Sequence, residues 1–338
     1  MKNTVLNFAM LASVLALFLL SACGDDQQQQ EAGQIVPTGD PEIDQVSQQI
    51  AGDPENADLY ALRAEVYYDK NSYDQAIADM TVALALDSLN LDHHHLLTDI
   101  YLDYFRSRLA LQTMERAVAI APNDIPSLLK LSEIQLFLKM NQASLSTIDQ
   151  VLRIDPQNAL AYFFTGKNFE ELGDINRAIN AYQESSEIDP EMIDTWIKLG
   201  QLHASIDGSL AEAFFDNAIE VDSNSTIALQ AKAEYLWDQE KPEEALELYK
   251  EAVRRNPMDE KSAYNTGLVY LELSDPEQAY RHFSMAIENA PLYAAAYYYR
   301  GYAAELMENN TQAISDYQHT LRLAPNYEQA QDGLARLQ

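Results

Sequence analysis

The chain has a single cysteine, Cys23, so an internal disulfide is impossible and stability must come from packing. Basic residues are also scarce: 22 Lys and Arg stand against 53 Asp and Glu, for a formal charge of -31. That balance speaks against nucleic acid as a partner, because phosphate binding needs clustered cations. It fits either a well-solvated surface or an acidic groove that selects basic or apolar partners. Glycine is sparse, with 11 in all and few outside turns and repeating positions, which argues against backbone-lined nucleotide or oxyanion sites. Gly166-Lys167 is followed by Asn168 and has Ala161 where a phosphate loop needs glycine. His-Glu-x-x-His and Gly-x-Ser-x-Gly are missing, and paired acids such as Glu170-Glu171 and Glu243-Glu244 fall on expected helix surfaces or turns. These absences point away from an enzyme, and no cofactor is expected.

What the chain does contain is a period. Pro54, Pro122, Pro156, Pro190, Pro257, Pro291 and Pro325 are separated by 68, 34, 34, 67, 34 and 34 residues, with Ser88 and Ser223 on the two intermediate rungs. Thirty-four residues is the length of a stacked helix-turn-helix unit. Eight units begin near Ala57, Leu91, Ile125, Ala159, Ile193, Thr226, Glu260 and Ala294. One position in each first helix is small: Ala64, Thr98, Ser132, Gly166, Gly200, Ala233, Gly267 and Gly301. A second small column, from Ala76 through Ala211 to Ala313, is followed four residues later by Met80, Met114, Ile148, Tyr182, Phe215, Tyr249, Phe283 and Tyr317. Small residues admit a close neighbouring helix and large ones interdigitate between layers. Proline then ends the second helix by excluding the helical conformation of the residue before it.

Amphipathic stretches flank the array, with Ile43, Val46 and Ile50 on one face after Pro41, and Ala330, Leu334 and Leu337 after Glu328. They suit the caps that a solenoid requires. One slip interrupts the register: Gly200 to Ala211 is 11 residues, against 12 from Gly166 to Ala178 and from Gly267 to Ala279. A residue is therefore missing around Asp207-Gly208-Ser209, as either a tolerated trim of the turn or a local change of superhelical pitch.

The columns, with Trp196-x2-Leu199-Gly200, Ala211-x3-Phe215, Gly267-x2-Tyr270, Ala279-x3-Phe283 and Pro291, resemble the tetratricopeptide repeat (TPR) family over residues 41–338. The resemblance implies an all-α fold: a TPR α-solenoid, a right-handed superhelix of antiparallel helix pairs with capping helices. It also implies a concave groove lined by the first helices and used for protein partners.

The N-terminus carries a different signal. Val5 to Leu20 is apolar apart from Asn7 and Ser13, and Leu20-Ser21-Ala22-Cys23 closes the run with small residues. This resembles a bacterial lipoprotein leader with its lipobox, and implies cleavage before Cys23 and acylation of that cysteine, which would give stable anchoring. A retained transmembrane helix is the alternative reading of the same run. Gly24, by resemblance to Gram-negative lipoproteins, points to the outer membrane, and Asp25-Asp26 leave periplasm-facing and cell-surface orientations open. The expected organisation is a signal peptide over 1–22, a lipidated disordered tether over 23–40, a capping helix over 41–55, eight repeats over 56–327 and a capping helix over 328–338.

By the same resemblance, the groove lining includes Tyr68, Asp99, Phe137, Phe163, Glu170, Glu234, Trp237, Tyr264, Tyr298 and Tyr302. Carboxylates and rings dominate it, which suits a polypeptide with basic and apolar side chains. For Tyr298 and Tyr302, binding surface and packing between repeats are both open. Repeats that clamp a chaperone's terminal carboxylate place Lys, Asn and Arg here, and only Lys167 qualifies. His93-His94-His95 cannot converge on one metal ion from successive helical positions; Asp92, His95 and Asp99 share a face, with a solvated polar surface as the simpler reading. No metal is expected. The function that follows is a membrane-anchored scaffold or adaptor in the bacterial cell envelope, with a surface glycan- or nutrient-binding lipoprotein as the alternative, favoured if rings such as Trp237 and Tyr298 stand exposed as platforms.

Overall fold

A computed structural model describes residues 37–206 and 208–337; the leader over 1–22, Cys23 and the tether as far as residue 36 lie outside the described residues. A single helix α1 (Pro41–Gly52) is followed by eight helix pairs. The first four are α2 (Ala57–Asp69) with α3 (Tyr73–Leu86), α4 (Leu91–Asp103) with α5 (Ser107–Ile120), α6 (Ile125–Phe137) with α7 (Asn141–Ile154), and α8 (Ala159–Glu171) with α9 (Ile175–Ile188). Then come α10 (Ile193–Ile206) with α11 (Ala211–Val221), α12 (Thr226–Asp238) with α13 (Pro242–Arg255), α14 (Glu260–Glu272) with α15 (Pro276–Asn289), and α16 (Ala294–Leu306) with α17 (Asn310–Leu323). A last helix, α18 (Glu328–Leu337), covers α17. The described residues contain no strand, and the fold is the all-helical solenoid that the repeat columns imply.

Most units are punctuated by the same local chemistry, although Tyr293 ahead of α16 makes no side-chain cap. Side chains of Asn56, Asn90, Asp124, Asn158, Ser225 and Asp259 accept hydrogen bonds from the first-turn amides of α2, α4, α6, α8, α12 and α14. Such caps contribute about 1 kcal/mol each. The first helix ends in a left-handed residue, Asn71, Phe105, Lys139, Gly173, Glu240, Ser274 or Glu308, at φ between 57° and 74°. The next amide reaches back five residues, as in Ser72 N to Tyr67 O at 2.8 Å and Asp275 N to Tyr270 O at 2.8 Å, which closes a Schellman turn. Only Gly173 meets this conformation without the steric cost that a Cβ brings, on the order of 1–2 kcal/mol. Aromatic side chains of the first helix then tie back to the proline rung, with Tyr60, Tyr162 and Trp196 donating to the carbonyls of Pro54, Pro156 and Pro190.

The small and bulky columns meet inside one unit. A Cβ added at Gly166, Gly200 or Gly267 would lie 2.6, 2.6 or 2.7 Å from ring atoms of Tyr182, Phe215 or Phe283, and one at Gly301 would lie 3.1 Å from Tyr317. Where the partner is Met80, Met114 or Ile148 instead of a ring, the small position carries a Cβ, as Ala64, Thr98 or Ser132. Ala233 against Tyr249 departs from this rule. Tyr182 and Tyr317 send their hydroxyls to Glu170 at 2.8 Å and Glu305 at 2.5 Å, whereas Trp237 occupies that position for Tyr249, and only Asn265 offers its buried hydroxyl a side-chain contact.

The slip in the fifth unit can now be placed. Gly208 N bonds His203 O at 2.9 Å, the same five-residue closure as in the other units, so the register holds through Gly208. The missing residue falls after it, where α11 starts late and runs 11 residues against 14 for the other second helices.

The first and last units share a buried ion pair. Arg63 forks onto Asp79 and donates to Ser47, and Arg300 forks onto Asp316 and donates to Ser284, each pair spanning 16 residues. Asp79 and Asp316 expose 9% and 3% of their side chains, so loss of either partner strands a charge. Two outcomes follow for urea denaturation. Asp316→Asn should cost on the order of 3 kcal/mol, while Glu251→Gln, which loses the exposed pairs to Arg254 and Arg255, should stay within about 1 kcal/mol. Gly267→Ala should destabilise, because about 1–3 kcal/mol of overpacking exceeds about 1 kcal/mol of helix propensity. Adding Phe283→Met should recover more than the two single changes predict if the ring is the cause.

Candidate functional site

The groove is the face lined by the first helices α2, α4, α6, α8, α10, α12, α14 and α16. Much of its polar lining is occupied by bonds from one unit to the next. Tyr68 donates to Asp103 at 2.5 Å, and the Trp237 indole N–H donates to Glu272, each across 35 residues. Asp99 pairs with Lys130 at 2.5 Å, and Glu170 takes Lys198 at 3.0 Å in addition to the Tyr182 hydroxyl. Lys139 pairs with Glu171, and Arg336 of α18 with Glu305 at 3.1 Å. These contacts perturb the groups that make them. Burial, reinforced by the Asp103 charge, pushes the Tyr68 phenol up, and the Lys139 ammonium holds the Glu171 carboxyl below its ordinary value.

The rings of the expected lining mostly pack. Phe163 is buried against Phe164 and Tyr182, with Lys167 over both phenyl rings at 5.7 Å. Trp237 meets Tyr249 edge-on at 6.3 Å. Tyr264 lies against Phe283, Tyr293 and Tyr299, and Tyr298 against Tyr299, Tyr317 and Tyr327, with centroid separations of 4.9 to 5.8 Å. Tyr298 thus belongs to the joint between the last units and α18, and Tyr302 is half-buried beside it. Phe137 is the exception at 68% exposure. Phe105, whose turn position gave no functional signal in the sequence, is 94% exposed in the turn after α4.

The histidine run has structural partners. His93 Nε2 lies 3.1 Å from Asp58, His94 Nδ1 2.8 Å from the Asn90 carbonyl and His95 Nε2 2.8 Å from Ser127. Burial, with Lys130 adding to it, lowers the His95 pKa. Since Asp99 is committed to Lys130, the Asp92, His95 and Asp99 face does not converge, and among the described residues no group of three or more His, Cys, Asp or Glu is placed to hold a metal.

Glu234 and Asp238, one turn further along α12, make no hydrogen bond or ion pair among the described residues, and the same holds for Glu65 and Asp69 at the equivalent positions of α2. The Glu234 residue is exposed, yet desolvation of its carboxyl and the Asp238 charge raise its pKa above 4.5, with Lys261 opposing them.

Known proteins agree with this architecture. The tetratricopeptide repeat family profile matches residues 159–192, 231–290 and 264–328, so those stretches are tetratricopeptide repeats. The chain is 30% identical to the Hsp70-Hsp90 organizing protein of Triticum aestivum and 29% to Hsp70-Hsp90 organizing protein 1 of Glycine max. Each match runs over 105 residues, 31% of this chain and 18% of the relative's own length. Among solved structures, the APC/C hetero-tetramer Cut9-Hcn1 aligns with 87% of this chain and 58% of its own, at 17% identity and a TM-score of 0.54, a likeness of fold. Tetratricopeptide repeats are protein- and peptide-binding scaffolds, and that is the class to which fold and groove assign these residues.

A raised carboxyl pKa means that the native state binds more protons than the unfolded chain between the two values, so its contribution to stability falls as pH rises through that window. Glu234→Gln is therefore expected to be more stable than the wild type at pH 7, with the difference vanishing below about pH 4. Thermal melts across that range measure it, and a wild-type advantage at pH 7 would contradict the assignment.

Proposed function

We propose that the protein is a non-catalytic adaptor of the bacterial cell envelope, held at the outer membrane by lipid on Cys23, whose groove binds a polypeptide bearing basic and apolar side chains. The observation that carries the groove reading is its lining. In a tetratricopeptide repeat scaffold of net charge -31, the exposed ring of Phe137 and the unpaired carboxylates of Glu234 and Asp238 face the same side as the repeat-to-repeat bonds. The anchor rests on Leu20-Ser21-Ala22-Cys23 closing an apolar leader.

A role as a clamp for a chaperone's terminal carboxylate finds little support in this lining. Lys167, the one groove cation that such a clamp would use, lies over Phe163 and Phe164. A glycan-binding reading needs flat exposed rings, and Trp237 and Tyr298 are engaged by neighbouring rings instead.

Two measurements test the parts separately. Cys23→Ser should abolish incorporation of labelled fatty acid and release the protein from the membrane fraction; persistent membrane association would sink the anchor. Affinity purification from detergent-solubilised envelopes should recover fewer partners with Phe137→Ala, a change at an exposed site that spares the core. Identical recovery would sink the groove.

A further inference from the structure

Between α10 and α12 the groove deepens into a depression of 280 Å³. Side-chain size explains it: α10 ends in Ala204 and Ser205 where the neighbouring units carry Glu170-Glu171 and Trp237-Asp238. The floor is a ring pair, Phe215 and Tyr235, with centroids 5.5 Å apart. Tyr235 donates to the Gly208 carbonyl at 3.3 Å, which braces the floor against the turn that precedes the shortened α11. One wall carries Glu234 and Asp238, and the other Gln201 and Ser205.

The charges around this depression are unbalanced. Asp99, Asp103, Glu170, Glu272 and Glu305 elsewhere in the groove each have a donor from a neighbouring helix, whereas Glu234 and Asp238 have none among the described residues; Glu65 and Asp69 at the equivalent positions of α2 also have none, but Glu234 and Asp238 stand over the ring floor. Lys232, on the same helix, is committed to Glu212 and Asp216. Lys261 acts on Glu234 through space and does not line the depression.

We propose that this depression receives the guanidinium of an arginine on a partner polypeptide, which rests on the adaptor reading above and names the chemistry that the groove selects. Small-molecule sites begin at about 300 Å³, so the space suits one side chain rather than a whole metabolite. Five N–H donors in a planar fork match two carboxylates with an amide and a hydroxyl opposite, and the plane can rest on the Tyr235 ring. A lysine ammonium is more strongly hydrated and gains less from such a floor. Charge disfavours a second copy of this chain, which would bring a further -31.

The test is a titration of the ¹⁵N-labelled full chain in detergent with N-acetyl-arginine amide. Saturable shifts are expected at the amides of Gln201, Ser205, Glu234 and Asp238. N-acetyl-citrulline amide, of the same shape without the charge, should cause none, and N-acetyl-lysine amide should bind more weakly. The Glu234→Gln, Asp238→Asn double variant should weaken arginine binding at least tenfold. Ala204→Leu, which places there the side chain of the equivalent Leu136, should do the same; if that change disturbs the fold, the isosteric acid variant still decides. Equal shifts with citrulline, tighter binding of lysine, shifts spread along the whole acidic surface, or undiminished binding by the acid variant would each overturn the proposal. Because partner recovery with Phe137→Ala is read independently, failure of the arginine site and failure of the adaptor reading are distinguishable.

Discussion

Rings pressed onto residues without a side chain set the spacing of this solenoid. Tyr182, Phe215, Phe283 and Tyr317 each occupy the space that a Cβ would need at Gly166, Gly200, Gly267 or Gly301, and these aromatic side chains are almost wholly buried. The contact fixes how closely the two helices of a unit approach, and the same rings pass the constraint onward. Tyr317 also abuts Gly333, so α18 seats against the last pair by the means used within the pairs. Where methionine or isoleucine replaces the ring, the opposing residue regains a small side chain, and total volume is conserved.

That rigid spacing determines what the groove can do. The repeat sets a side chain of one first helix against a matching position on the next, and the bonds from Tyr68 to Asp103 and from Trp237 to Glu272 repeat the same 35-residue offset. Many groove acids are thereby neutralised by the scaffold itself. The depression beside Glu234 and Asp238 interrupts the pattern because Ala204 and Ser205 are too short to continue it.

The periodic parts of this architecture were legible in the sequence. Proline rungs and small columns mark helix boundaries and close approaches whatever the surroundings, and the capping side chains of Asn56, Asn90, Asp124 and Asn158 belong to the same period. Groove contacts were less legible. Membership of the lining could be assigned by analogy, but Phe163 turned into the core while Phe137, on the next unit toward the N-terminus, stayed exposed. Their fates differ by register: the position of Phe163, three before the small column, is buried or half-buried in every unit, and that of Phe137, five after it, is exposed in every unit. The left-handed turn position was equally hidden, since glycine occupies it only at Gly173 among the described residues, while Asn71, Phe105, Lys139, Glu240, Ser274 and Glu308 adopt it with a side chain.

By itself the sequence determined the repeating helical architecture, the acidity of the molecule and the register slip near Gly208, because each follows from spacing or composition along the chain. Which groove side chains remain available was decided only by the tertiary structure. Availability depends on the distance between residues some thirty positions apart, and that distance exists only once the rings have set the helices in place.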